Sequence, residues 1–300
     1  MVDFPDHQNV GDNAIWLGET EWLRRRGFPA PSYVCTLADY SADALRALAP
    51  TGPIFLHGGG NLGDLWPRHQ ALRERVCLDF PDRTIIQFPQ SAHFEGAEAL
   101  GRARAVMGGH KDLHVLARDR QSLEVVRSLG CEASLCPDMA FAIKRWAPSA
   151  EPAHPWLALM RKDKEALDAP EGLRALLARA TVVDWPVTPP IRADADASAP
   201  PDLRFRAFQA AARRRLERGV ALLSSGRRIV TDRLHGHILS LLLGRPHRLV
   251  DNCYGKLSSF VACWTEGAPG LDPEILSPAA VSTGAVIGDR FRPARKAAEG

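Results

Sequence analysis

The stretch Ile229–Lys256, IVTDRLHGHILSLLLGRPHRLVDNCYGK, decides the fold. Ile229-Val230 is a short apolar strand and Thr231-Asp232-Arg233 a polar turn, and a helix opens at Leu234-His235-Gly236. An arginine and two histidines, His235 and His237, therefore sit where a strand gives way to a helix. Free backbone N–H groups and the positive end of the helix dipole meet there and make an anion site. A guanidinium at that point suits phosphate or carboxylate, because its fork matches both. An imidazole beside it can move a proton near neutral pH.

Working outward, the same alternation fills the chain. Strand-like runs occur at Ile54–Leu56, Thr84–Phe88, Val115–Ala117, Trp156–Met160, Thr181–Val183, Ile229–Val230 and Arg248–Val250. Helical segments lie between them at Asn13–Arg26, Leu65–Phe80, Glu95–Met107, Arg120–Leu129, Gly172–Ala180, Leu203–Ser225 and Leu234–Leu243. Such alternation implies crossover connections, parallel sheets and helices on both faces. The Pro- and Ala-rich stretch Trp146–Pro155 separates two alternating halves, so two doubly wound domains, 1–148 and 149–300, are expected, with a cleft between them. The proline-rich Pro186–Asp202 reads as a surface loop, and the tail after Arg290 as frayed.

Composition narrows the function classes. A net charge of +3 over 300 residues, without a face-wide basic run, argues against nucleic acid as partner. The most basic run, Arg213-Arg214-Arg215, reads first as a solvated helix face and second as a peripheral contact with an anionic membrane. The six cysteines form no C-x-x-C pair and no signal peptide precedes them, which points to reduced thiols and a cytoplasmic location. No apolar run reaches the length of a membrane span, and no cysteine–histidine spacing suggests a metal site.

Further motifs close other apolar runs. Asn9-Val10-Gly11-Asp12-Asn13 reads as a βα turn in which Asp12 or Asn13 caps the next helix. His57-Gly58-Gly59-Gly60-Asn61-Leu62-Gly63-Asp64 is either a structural turn or, as its glycine density favours, a nest of N–H donors facing a ligand. It is neither a Walker loop nor a dinucleotide fingerprint. Gln90 and Ser91, in Pro89-Gln90-Ser91, can bind sugar hydroxyls or phosphate oxygens, and His93 is a proton carrier or a solvated loop histidine. Ala117-Arg118-Asp119-Arg120 repeats the strand-end arginine, with a surface arginine beside a capping Asp as the plainer reading. Asp138, in Cys136-Pro137-Asp138, is a helix cap or a cleft carboxylate.

Taken in order, N-V-G-D (Asn9–Asp12), H-G-G-G-N-L-G-D (His57–Asp64), P-Q-S (Pro89–Ser91), A-R-D (Ala117–Asp119), C-P-D (Cys136–Asp138) and T-D-R-L-H-G (Thr231–Gly236) resemble the polysaccharide pyruvyl transferase family. The resemblance implies two Rossmann-like domains in a GT-B-like arrangement, the first on the acceptor side and the second on the donor side. It implies phosphoenolpyruvate as donor, no cofactor, and a cyclic pyruvate ketal formed on a saccharide of an exopolysaccharide or of its lipid-linked precursor. An enzyme of that kind would work at the inner face of the plasma membrane.

By that resemblance Arg233, Leu234 and His235 contact the donor, Arg118 supplies a second arginine, and His93 lies near them. His235 is the principal acid/base, and Lys256 is a point charge at the donor rim or a plain surface lysine. Asp12, Asn61, Asp64 and Gln90 are assigned to the acceptor. Two rival readings are a nucleotide-sugar glycosyltransferase, enlisting Asp251 or Glu266 for ribose, and a non-catalytic glycan- or anion-binding relative. Oligomeric state and the acceptor sugar are not encoded in any motif.

Overall fold

The computed structural model describes residues 1–148, 151–161, 171–186, 199–251 and 255–276. Most of the proline-rich loop, the frayed tail and Asn252–Tyr254 lie outside them, as does the side chain of Lys256. The described chain is α/β, and every strand pair is parallel. It divides into two compact units, Met1–Ile143 with Val187–Leu216, and Lys144–Pro186 with Glu217–Gly300.

In the first unit the sheet runs β1 (Ile54–Leu56), β3 (Ile85–His93), β4 (Leu113–Ala117), β5 (Glu132–Leu135), and β2 (Gly59–Gly63) also pairs with β3. Single parallel bridges extend it on the other side, Val2 to Leu56 and Phe4 to Thr36. The chain thus leaves residues 2–4 toward 36 in one direction and returns to β1 in the other. Strand order reverses between residues 2–4 and β1, which is where open α/β sheets form their ligand crevice.

Helices cover the sheet for local reasons. Asn9 caps α1 (Val10–Arg25) by accepting from Gly11 N at 3.0 Å, not Asp12 or Asn13 as the motif suggested. Pro67 opens α3 (Pro67–Asp79), where its missing N–H costs nothing. Asp119 caps α5 (Arg120–Ser128) through Ser122 N at 2.7 Å.

Two expectations change here. The Gly58–Gly63 stretch is not an open nest, because Gly59–Gly63 is strand β2, continuing the line of β1 alongside β3. Pro89-Gln90-Ser91 is likewise strand, and the β3–β4 register shifts between Gln87 and Gln90, around the proline that lacks a ladder N–H. Gly63 sits at φ 121°, and a Cβ there would meet His93 O at 1.7 Å, so close strand pairing requires glycine.

The second unit carries the sheet β7 (Thr181–Val183), β6 (His154–Leu159), β8 (Gly226–Thr231), β9 (His247–Leu249). Its order reverses between β6 and β8. A smaller apolar cluster of Ala158, Leu173, Val230, Val250 and Leu276 forms its core. Helix α8 (Leu234–Leu243) ends at Gly244 in the left-handed conformation, φ 65°.

Helix α7 (Pro201–Ser224) starts in the first unit. Phe208 stacks on Phe4 with ring centroids 4.1 Å apart, and Arg204 pairs with Asp39. Arg215 is buried and donates to Pro5 O at 2.9 Å and Asn13 Oδ1 at 3.2 Å. These contacts explain why the first part of α7, up to Leu216, counts with the first unit although it follows the Trp146–Pro155 boundary. They also revise the reading of Arg213–Arg215 as a solvated face, since only Arg213 and Arg214 are exposed. Among the described residues no helix is long and apolar enough to cross a membrane.

Candidate active site

At the reversal of the second sheet, β8 delivers Thr231, Asp232 and Arg233 to the end of β6. Thr231 Oγ1 donates to Leu159 O at 2.8 Å and accepts from Arg233 N at 3.0 Å, locking the turn. Asp232 spans the crevice, its two oxygens accepting Arg161 N at 3.0 and 3.2 Å. Burial pushes the Asp232 carboxyl up to about 6, against the opposing pull of the Arg161 N–H and the Arg233 charge. Arg233 is the N-cap residue of α8, and its guanidinium grips Asp184, just past β7, at 2.7–2.8 Å. Leu234 and His235 follow in the first turn and are buried. The motif glycine has a packing reason: a Cβ on Gly236 would meet Thr231 Oγ1 at 2.4 Å.

His237 faces away from this chemistry. Its Nδ1 lies 2.7 Å from His247 Nε2 and its Nε2 lies 2.9 Å from Thr265 Oγ1, while His247 Nδ1 lies 2.9 Å from Arg245 O. The carbonyl can only accept, so His247 donates to it from Nδ1 and accepts from His237, which in turn accepts from the Thr265 hydroxyl. Burial holds both imidazoles below their usual range, His247 down to about 4. Two neutral rings thus clamp α8 to β9.

In the first unit Arg118 is no surface arginine. It is 3 % exposed, donating from Nε to Ser91 Oγ at 2.8 Å and from Nη1 to Asp138 Oδ2 at 2.8 Å. Ser91 Oγ donates in turn to Asp119, whose other oxygen caps α5. Of the two roles its motif left open, Asp138 takes that of a cap, accepting Ala140 N at 2.9 Å, and its buried carboxylate also pairs with Arg118.

The residues expected to bind acceptor divide. Gln90 and Asn61 join one buried lattice: Gln90 Nε2 donates to His57 O and Asn61 Oδ1, and Gln90 Oε1 accepts Asn61 N. Arg73 completes it, contacting Gln87, Asn61 O and Asn61 Oδ1, and burial pushes its guanidinium down to about 10. Asp64 accepts Glu95 N and Gly96 N at the start of α4 (Ala97–Val106). Asp12 is partly exposed, accepts from Asn9 Nδ2 at 2.8 Å and stands 3.5 Å from His7 Nε2. His93 is half-exposed, 3.4 Å from Glu95.

Sequence reading missed Glu19, buried in α1, whose Oε2 lies 2.9 Å from His57 Nδ1 and whose Oε1 accepts Gly58 N at 2.7 Å. Nothing local flagged it, because its partner lies 38 positions away. Asp184 and Arg73 were missed for the same reason. Asp251, the ribose candidate of the glycosyltransferase reading, instead accepts Leu257 N and Ser258 N, each at 2.9 Å, at the start of α9 (Lys256–Trp264), and Glu266 is exposed. Among the described residues no three His, Cys, Asp or Glu side chains group to hold a metal ion.

Comparison with known proteins agrees with the strand-end motifs. The family model described as polysaccharide pyruvyl transferase matches residues 9–254. Pyruvyl transferase 1 of Schizosaccharomyces pombe is 35 % identical over 287 residues, covering 89 % of this chain and 69 % of that protein. EpsO of Bacillus subtilis is 28 % identical over 291 residues, covering 89 % and 85 %. A functionally uncharacterised protein from Klebsiella pneumoniae shares the fold, with a TM-score of 0.61 at 17 % identity over 91 % of this chain and 90 % of that one. With the family model spanning the motifs of both units, this chain belongs to the polysaccharide pyruvyl transferase family and is a transferase enzyme.

Proposed function

We propose that the enzyme transfers the pyruvyl group of phosphoenolpyruvate to two hydroxyls of one sugar, in an exopolysaccharide or its lipid-linked precursor. The product is a cyclic ketal and inorganic phosphate is released. The observation that carries this reading is the Asp232–Arg233–Leu234–His235 turn, a guanidinium, a helix N-terminus and an imidazole at one strand-order reversal. Phosphoenolpyruvate presents a phosphate and a carboxylate to such a site. Arg233 and the first N–H groups of α8, including that of Leu234, hold the anionic donor. Arg118 is the second guanidinium that the family resemblance assigns to it, with His93 and Lys256 as outlying contacts.

The chemistry then needs protons moved in order. A proton adds to the enol C3, which becomes methyl, and C2 becomes electrophilic. One sugar oxygen bonds to C2 and gives up its proton. The C2–O bond to phosphate breaks and phosphate leaves. The second hydroxyl adds to C2 and loses its proton, closing the ring. Two hydroxyl protons are released, one balancing C3 and the other the departing phosphate. His235 serves as the acid/base, and the guanidinium stabilises the leaving phosphate. Asp12 is the acceptor-side base, with Asn61, Asp64 and Gln90 shaping the wall behind it.

The test incubates the enzyme with phosphoenolpyruvate or nucleotide sugars and a panel of free and lipid-linked saccharides. Phosphate release with a mass gain of one pyruvyl ketal on the saccharide is expected. Nucleoside diphosphate release instead overturns the reading.

A further inference from the structure

The strand-order reversal of the first unit, between residues 2–4 and β1, holds a group that the reaction above does not use. His57 follows β1 directly and is 4 % exposed. Its Nδ1 meets Glu19, which is fully buried and also ties down Gly58 N. Its other ring nitrogen, Nε2, is buried and has no hydrogen-bond partner among the described residues. A buried donor left unmade costs free energy, so retaining one at a ligand crevice needs a reason.

Charge supplies that reason. Burial alone would push the imidazole down, but the Glu19 carboxylate, with Asp3 and Asp12 nearby, raises it above its usual value. Burial raises Glu19 as well, and Asp138 adds to that, so the pair holds its shared proton tightly. His7 also lies within electrostatic reach of His57 and is itself paired with Asp12. Asp12 stands at the rim, its Oδ1 3.7 Å from where a Cβ on Gly59 would be. A partly exposed carboxylate thus stands beside the Gly59 backbone, within electrostatic reach of a buried imidazole locked by a second carboxylate.

We propose that His57, gripped by Glu19, is a positioning residue of the acceptor site, a buried imidazolium that acts through Asp12 to stabilise the alkoxide forming on the attacking saccharide hydroxyl. The proposal rests on the pyruvyl-transfer reading for the identity of the acceptor, whereas the charge state of the dyad stands apart from it. As Asp12 takes the hydroxyl proton, the oxygen gains negative charge above a fixed positive one in a poorly solvated wall. Replacing Glu19 by Gln keeps an acceptor for Gly58 N but offers an amide N–H to Nδ1. The ring must then accept there and carry its single proton on Nε2, uncharged.

The experiment uses the full chain with selectively ¹⁵N-labelled histidine, the His57 signal being assigned through His57→Gln. Wild type should show His57 doubly protonated at neutral pH, and Glu19→Gln should show it neutral. A neutral ring in wild type overturns the proposal. With phosphoenolpyruvate and acceptor, both variants should lose about a hundredfold in kcat. Their KM for phosphoenolpyruvate should be unchanged, and the alkaline fall in kcat that wild type shows on losing the imidazolium proton should be absent. An equal, small loss at every pH, tracking a lowered Tm, assigns the dyad to folding only and overturns the proposal. If wild type releases no phosphate at all, the pyruvyl-transfer reading fails. The ring signal titrated with methyl hexopyranosides then decides for the dyad, a saccharide-dependent shift supporting it and its absence overturning it.

Discussion

The two sheets reverse their strand order in the same way and put different chemistry at the reversal. In the second unit the crevice between β6 and β8 carries Arg233 at a helix N-terminus and a carboxyl raised to about 6. In the first, the crevice between residues 2–4 and β1 carries a carboxylate–imidazole pair and a rim carboxylate. The first unit's own strand-end arginine, Arg118, lies off the reversal, at the end of β4, and is enclosed by Ser91 and Asp138. Sequence spacing makes Arg118 and Arg233 look alike. Strand order makes one a buried tie and the other a partly exposed group over a helix N-terminus.

That contrast can be broken most sharply at His235. His235→Ala is expected to lower phosphate release from saturating phosphoenolpyruvate and acceptor by about a thousandfold, the range of a lost general acid/base. Unchanged release would remove His235 from the chemistry and with it the assignment of donor chemistry to the second crevice.

The next largest effect compares the arginines in urea. Arg118→Met leaves Asp138 buried without its cation, which costs about 3–5 kcal/mol of stability. Arg233→Met, whose pair with Asp184 is partly exposed, should cost less, about 1 kcal/mol, and both substitutions should weaken donor binding. Equal losses of stability would show the two sites to be alike after all.

Gly236→Ala follows. Thr231 must give way to a Cβ 2.4 Å from its hydroxyl, an overpacking cost of about 1–3 kcal/mol. Donor affinity should fall with stability, because Thr231 also holds the Arg233 backbone. Loss of stability with full donor affinity would separate the turn from the site.

The smallest effect is electrostatic. Above pH 6 Asp232 is charged and repels an anion; below it the repulsion is gone. Donor affinity should therefore rise by about fivefold as pH falls through 6, apart from the donor's own titration, and calorimetry on Asp232→Asn should show only the latter. The same raised carboxyl adds stability that is present below its unfolded value of 3.8 and lost as pH rises through about 6. A wild-type affinity with the same pH dependence as the Asn variant would exclude Asp232 from the donor's surroundings.

Much of the fold was legible. Each apolar run read as a strand is one; most are buried on both faces and so write continuous apolar residues, while Thr181–Val183 is a largely exposed edge strand. The start of α5 was legible where Asp119 marks it, whereas α3 begins at Pro67, two residues after the Leu65 expected. Strand β2 was not, since glycine is a poor strand residue and Gly59–Gly63 is held by pairing with β3. Strand β5, Glu-Ala-Ser-Leu, has no apolar run to read and is recruited by β4. The positions of Arg118, Arg233 and His235 at strand ends and the α8 start were legible from spacing, whereas the contacts of Glu19, Asp184 and Arg73 were invisible because their partners come from distant elements.

By itself the sequence determined the parallel α/β class, the family, and which residues stand at strand ends, because apolar runs, caps and short motifs act over a few positions. Only the tertiary structure decided which strand ends are neighbours, that α7 joins the first unit through Phe208 and Arg215, and that Glu19 lies against His57. The physical reason is that strand order in a parallel sheet is fixed by packing between segments dozens of residues apart, and charge and proton position depend on which groups that packing buries together.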